Sequence, residues 1–239
     1  MQMSHLHNPF RYDYVGSFLR PENLKQARRD FDEGKIDYAK LKEVEEQAIT
    51  DLITKVKSLG YHVITDGEFR RATWHLDFMW GLDGVGHVKT KTGLPFHGEA
   101  AMIDDTYLVG KIGLSKEHPF VEHFRFVKQF EDENTVAKQT IPAPAQVLAQ
   151  FTMPFNREAT EKFYDSDDQL IDDFVTAYKK VIDDLYAAGC RNVQLDDCTW
   201  GMLADKTAPL AYGTTVEGLQ KIQQTYKDIN NRVIANAPE

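Results

Sequence analysis

Cysteine is scarce: only Cys190 and Cys198 occur in 239 residues, and neither belongs to a CxxC pair. That gives no zinc-ribbon spacing and suits a reducing cytosol, so a cytoplasmic protein is the expectation. Long apolar runs are missing, which argues against a membrane span. The start, MQMSHLHNPF, is polar and broken by proline, and we read no signal peptide in it. Positive charge is in deficit, with 28 Lys and Arg against 37 Asp and Glu and a net charge of −9. Nucleic acids and anionic membranes both want basic patches, so neither is an expected partner. No fixed short period marks a solenoid, and no histidine pair has HExxH spacing. Against these absences stands an ordinary globular composition, 42% apolar and 27% charged. The length approaches the roughly 250 residues of a complete α/β barrel.

The stretch Asn192–Trp200, NVQLDDCTW, organises the reading. A short apolar strand runs into adjacent carboxylates, Asp196 and Asp197. Strands of parallel sheets are apolar because both faces are covered, and polar groups at their C-terminal ends face ligand crevices. The alternative is structural, since an aspartate after a strand often caps the next turn. Residues 59–66 follow the same plan: helix end, Gly60, strand body Val63-Ile64, then Asp66-Gly67-Glu68. Two such units put two sets of carboxylates on one rim of a parallel sheet.

In chain order, a short strand is expected over 12–18, ending at Gly16-Ser17. A helix opens at Arg20-Pro21-Glu22, with proline in its first turn, and is interrupted by Gly34. A second helix covers 38–59, with Leu41, Val44, Ala48, Leu52, Val56 and Leu59 on one face. Residues 69–79 are basic and aromatic, and 83–100 read as a long loop or hairpin over the mouth. Strands follow at 106–112 and 135–141, with a helix at 119–130 between them. A helix at 145–151 is cut by Pro154. The strongest helix is 167–188, with Leu170, Phe174, Tyr178, Val181 and Leu185 as its buried stripe and four aspartates near its N-terminus. Residues 201–214 are expected to be loop, 216–229 helix and 232–235 the start of a sixth strand. The expected architecture is one domain over 1–239, an α/β TIM-type (β/α)8 barrel incomplete at its C-terminus.

Three strand tips, Val15-Gly16-Ser17-Phe18, Asp66-Gly67-Glu68-Phe69-Arg70-Arg71 and Gln194-Leu195-Asp196-Asp197, resemble in order the motifs of the cobalamin-independent methionine synthase family. The likeness is to its catalytic C-terminal barrel and the shorter single-domain relatives. It implies a methyltransferase that moves a methyl group, from a 5-methyltetrahydrofolate, to the thiol of homocysteine. It further implies that Gly16 and Ser17 meet the homocysteine carboxylate, that Glu68 and Asp196 accept hydrogen bonds from its ammonium group, and that Asp197 contacts the folate. A family zinc ion would bind the thiol, because coordination removes the thiol proton.

The zinc ligands of the family, His, Cys, Glu and Cys, lie on strands with no counterpart here, so no complete zinc site is expected. Cys190 reads as a buried structural thiol and Cys198 as the thiol nearer the rim. His5-x-His7 lies in a polar tail. Gln150, beside Phe151, stands where the large enzymes have an aromatic residue against the pterin. Three structural readings stay open: Ser17 as a helix cap, Glu68 paired with Arg70 or Arg71 on the surface, and Asp196 as a turn cap. Two functional alternatives also stand. One is a non-catalytic amino-acid-binding barrel. The other is a metal-free decarboxylase-type barrel that meets acidic substrate groups with residues 70–74.

Overall fold

The computed structural model describes residue 10 and residues 12–90, 94–96, 99–101, 104–235 and 237. The elements run α1 (Glu22–Asp32), α2 (Tyr38–Ser58), β1 (Val63–Ile64), α3 (Leu76–Trp80), β2 (Asp83–Val88), β3 (Leu94–Phe96), β4 (Glu99–Ala101) and β5 (Asp105–Gly113). They continue with α4 (Pro119–Lys128), β6 (Val136–Ala137), β7 (Gln139–Pro142), α5 (Pro144–Thr152), α6 (Pro154–Glu161) and α7 (Asp167–Ala187). The last are β8 (Val193–Asp196), α8 (Thr199–Ala204), α9 (Ala208–Ala211) and α10 (Val216–Ile234). None of the described helices is long and apolar enough to cross a membrane. The chain divides into two compact units.

The first unit is Met1–Trp74, Glu122–Thr140 and Cys190–Gln194. Asp37 caps α2 by accepting from the Lys40 amide, and α2 buries Leu41, Ala48, Ile49, Ile53 and Val56. Glu45 lies on that same buried face, where Arg28 and Arg70 meet it at 3.0 and 3.3 Å. β1 pairs in parallel with β6, Val63 opposite Val136 and Ile64 opposite Ala137. Residues 12–18 do not form the expected strand. Gly16 sits at φ +81°, which breaks extended geometry. The Tyr14 hydroxyl donates to the Val63 carbonyl and accepts from the Thr65 amide, so a side chain occupies the edge of β1 where a ladder would run. Burial pushes that hydroxyl up to about 12, so it remains a proton donor across the neutral range.

The second unit is His75–Val121, Ile141–Gly189 and Leu195–Glu239. β5 was expected as a parallel barrel strand, but it pairs antiparallel with β2, Val85 opposite Leu108 and His87 opposite Thr106. The expected loop or hairpin over 83–100 is therefore hairpin in part, with β3 antiparallel to β4 as well. Alternating polarity fits a half-exposed antiparallel ribbon better than a strand covered on both faces, which is why β5 differs from β7. The stripe of α7 is as expected: Leu170, Phe174, Tyr178, Val181 and Leu185 are all fully buried. Each aliphatic or aromatic side chain buried this way contributes about 1.5–3 kcal/mol.

Two expectations for the C-terminal region fail. Residues 201–214 hold α9 and most of α8, with Pro209 in the first turn of α9. Residues 232–235 are not a strand, because α10 runs through to Ile234. Leu219, Tyr226, Ile229 and Val233 form one buried helical face, and Arg232 pairs with Asp172 at 2.6 Å. Packing of that face overrides the β preference of Val233 and Ile234.

Candidate functional site

The turn after β1 is built from backbone conformations that few residues adopt. Gly67 and Glu68 both lie in the left-handed region, at φ +64° and +59°. A non-glycine residue there costs on the order of 1–3 kcal/mol unless its surroundings enforce it. Here they do. Thr65 Oγ1 accepts from the Gly67 amide at 3.1 Å, and Asp66 Oδ1 accepts from the Glu68 amide at 2.8 Å. Arg20 Nη2 donates to the carbonyls of Glu68 and Arg71, at 2.9 and 2.7 Å. Arg28 donates to the Phe69 carbonyl at 2.5 Å. A Cβ on Gly67 would meet Leu52 Cδ2, the end of a half-buried side chain that must shift to admit it, so conformation is the first reason for glycine here.

This turn aims the Glu68 carboxyl group inward, at 2% exposure. Ser17 Oγ donates to Glu68 Oε2 at 2.7 Å across 51 residues of sequence, and the Phe18 amide donates to the Gly67 carbonyl at 3.1 Å. Two of the sequence-predicted tips, Gly16-Ser17 and Glu68, therefore meet. Glu68 faces Arg71 Nη1 at 3.4 Å, a contact too long to be a strong hydrogen bond. Arg71 is itself buried and donates to the carbonyl and hydroxyl oxygens of Thr140, at 2.7 and 2.8 Å. Glu68 Oε1 and Asp66 Oδ2 are buried acceptors without a hydrogen bond.

The surface pairing considered for Glu68 is thus a buried one, with Arg71. Arg70 turns to Glu45 and Glu46 instead. Neither of these two guanidiniums in the basic-aromatic run presents itself outward, since both side chains are almost wholly buried among protein partners. Ser17 does not cap α1, whose N-cap is Pro21 without a side-chain hydrogen bond.

Asp196 and Asp197 belong to the second unit. The Asp196 carbonyl accepts from the Ala143 amide at 2.7 Å, and its residue is half-buried at the end of β8. Asp197 Oδ1 accepts from the amide and hydroxyl of Thr199, at 2.9 and 2.5 Å, and Oδ2 accepts from Asn230 Nδ2 at 3.2 Å. The capping role weighed for the acid pair falls on Asp197, which holds the first turn of α8. Gln150 donates to the Thr106 carbonyl at 3.1 Å.

Partial burial raises the Cys198 thiol, with further contributions from the charges of Asp197 and Asp196. Cys190 is buried and donates to the Asn192 carbonyl, and burial pushes its thiol up to about 11. A thiol held protonated this way is a structural group. No three His, Cys, Asp or Glu side chains among the described residues stand close enough to hold a metal ion. The zinc implied by the resemblance is not fitted by these donors. His5, His7 and His97 lie outside the described residues.

Sequence reasoning missed Arg20, Asn230 and Tyr14. Arg20 stands two residues beyond the first motif, where a guanidinium close to Gly16-Ser17 was a readable signal for carbonyl clamping. Asn230 lay just past the end of the expected helix at 216–229, and it became a helical residue only because α10 runs on to Ile234.

An α/β protein with a glycine-acid turn, Gly67-Glu68, after a parallel strand is the class that fold and site define. The chain belongs to the family of the cobalamin-independent synthase catalytic domain, whose profile matches residues 12–222. It is 37% identical to the uncharacterized protein YxjH of Bacillus subtilis over 81% of this chain and 49% of that protein. It is also 37% identical to YxjG of the same organism, over 97% of this chain and 59% of that protein. A Listeria monocytogenes crystal structure, provisionally named a vitamin-B12-independent methionine synthase, superposes with a TM-score of 0.74 at 34% identity, over 96% of this chain and 62% of that one. The fold is accordingly the α/β fold of that catalytic barrel. The chain spans about half to three-fifths of the length of these relatives.

Proposed function

We propose that this chain serves methyl transfer of the methionine synthase type, with homocysteine as acceptor and a 5-methyltetrahydrofolate as donor, in the cytoplasm. In the reaction a sulfur–carbon bond forms as the nitrogen–methyl bond of the donor breaks, and the thiol proton passes to that nitrogen. The observation that supports this reading most is the Ser17–Glu68 hydrogen bond at 2.7 Å, which leaves Glu68 Oε1 without a hydrogen bond. A buried carboxylate oxygen that faces the Arg71 guanidinium at 3.4 Å but accepts no hydrogen bond suits the ammonium group of an amino acid, because charge-assisted hydrogen bonds are the strong ones. With its hydroxyl proton committed to Glu68, Ser17 would meet the substrate carboxylate through its backbone amide, beside Gly16. Asp196 is the second acceptor for the ammonium group in this proposal, and Asp197 belongs to the donor side. The single domain over 1–239 is part of the same proposal.

Calorimetry with homocysteine, on the wild type and on Glu68→Gln and Asp196→Asn, tests the binding role of each carboxylate. We expect saturable binding that both substitutions weaken about tenfold or more, the scale of one charge-assisted hydrogen bond. Methionine formation from homocysteine and 5-methyltetrahydrofolate, with and without added zinc, tests the chemistry. Binding without turnover in every condition would favour the second reading, an amino-acid-binding module. The lack of a ligand group for metal among the described residues supports that reading. No homocysteine binding by the wild type would refute both.

A further inference from the structure

We propose that Lys138 is a positioning residue, a buried ammonium that holds residues 13–14 and thereby sets the place of Ser17. This role rests on the homocysteine reading only for its consequence in binding.

Lys138 lies between β6 and β7 and is 4% exposed. Its backbone is fixed, since its amide donates to the Ile64 carbonyl at 2.9 Å. A buried ammonium is costly unless each of its protons finds a partner. The Nζ of Lys138 reaches Asp13 Oδ1 and Oδ2 at 2.8 and 2.9 Å, the Tyr14 carbonyl at 3.0 Å and Gln194 Oε1 at 2.8 Å. It also lies 5.5 Å from the centre of the Tyr14 ring, within range of a cation–π attraction. All but one of these contacts fall on residues 13 and 14.

Apolar packing does little to hold that segment. Residues 12–18 have no strand ladder, and Tyr12, Val15 and Leu19 are exposed, Leu19 at 98%. Apolar burial therefore contributes little beyond the ring contacts of Tyr14 with Tyr61 and Phe18. What places Ser17 is a set of polar anchors. Lys138 grips Asp13 and Tyr14, the Tyr14 hydroxyl sits on β1, and the Phe18 amide bonds to the Gly67 carbonyl. Ser17 lies between the last two. Releasing the first anchor frees the Tyr14 backbone and loosens the approach of Ser17 to Glu68.

Lys138→Met keeps the apolar stem and removes the charge. Asp13, whose side chain is 35% exposed, can then turn to water, so no buried charge is stranded. Hydrogen exchange and homocysteine calorimetry are to be run on Lys138→Met and the wild type. We expect the Phe18 and Thr65 amides, whose acceptors lie on either side of this segment's anchoring, to exchange about tenfold faster or more, while α2 is unchanged, since local opening tracks local anchors. Homocysteine affinity should fall with it. Unaltered exchange at both Phe18 and Thr65 overturns the proposal, and so does faster exchange with unchanged homocysteine affinity. If the wild type binds no homocysteine but exchange rises as expected, the anchoring stands and the substrate reading falls. Should Lys138→Met lose α2 protection as well, the same measurements on Asp13→Asn/Lys138→Met and on Asp13→Asn decide. Asp13→Glu, which keeps the carboxylate, should retain slow exchange.

Discussion

Gly67→Ala tests whether the turn that carries Glu68 is as constrained as its geometry implies. Gly67 sits at φ +64°, and a side chain in the left-handed region costs roughly 1–2 kcal/mol. Its added Cβ would also overlap Leu52 Cδ2, the end of a half-buried side chain on α2, far inside ordinary van der Waals contact. Forcing a methyl group into packed space costs about 1–3 kcal/mol. Together the substitution should destabilise by about 3 kcal/mol, read as a lower urea midpoint at an unchanged slope. Gly60→Ala is the control. Gly60 has φ +83° but nothing within 4 Å of the place a Cβ would take, so it should cost only the conformational part, about 1–2 kcal/mol. Gly110→Ala, where the nearest atom is at an ordinary 3.6 Å and φ is not left-handed, should be within about 1 kcal/mol of the wild type. If Gly67→Ala costs no more than Gly60→Ala, Leu52 yields freely and the packing argument for this turn is wrong.

Ser17→Ala removes the one hydrogen bond to Glu68 Oε2 and should cost about 1.5–3 kcal/mol by urea denaturation, as expected for a bond to a charged group, with weaker homocysteine binding. Alkylation should separate the two thiols: Cys198 reacts in the native state and Cys190, buried with its thiol at about 11, does not. The rate at Cys198 should rise only above the usual thiol pH range and shift to lower pH in Asp197→Asn, because a neighbouring negative charge disfavours the thiolate. His75 is held near pKa 4 by burial, and His123 near 4 mainly by the same cause. Both lie below the unfolded value of about 6.5, so the unfolded state takes up protons first on acidification. Their contribution is complete above about pH 6.5 and should be lost as pH falls toward 4, by up to about 3 kcal/mol for His75. His75→Gln should flatten the stability profile in that window, and an unchanged profile would refute the assignment.

The helices α2 and α7 were legible because their apolar residues recur at helical spacing over twenty residues, but the buried face of α2 differs from the expected one: Leu59 is exposed, Val44 and Leu52 are half-buried, and Ile49 and Ile53 are buried instead. The tips after β1 and β8 were legible because acid directly after a short apolar run, with glycine beside it in Asp66-Gly67-Glu68, has few structural uses. Helix α10 was misread at its end, since two β-branched residues look the same whether they finish a helix or start a strand. The pairing of β5 with β2 was hidden for a similar reason: strand pattern states that a segment is extended, and says nothing of its neighbour's direction.

Much of the local order and chemistry came from the amino-acid string alone: where the long helices α2 and α7 run, that Gly60 follows α2, and that Glu68, Asp196 and Asp197 lie at or just beyond strand ends. Tertiary structure alone decided which of these groups meet. It joined Ser17 to Glu68, turned Arg70 and Arg71 inward, assigned Asp197 to the first turn of α8, and replaced a strand at 12–18 by a loop held on a buried lysine. The division has a physical cause. Backbone conformation depends on neighbours in sequence, whereas a hydrogen bond across 51 residues depends on where packing brings two chain segments together.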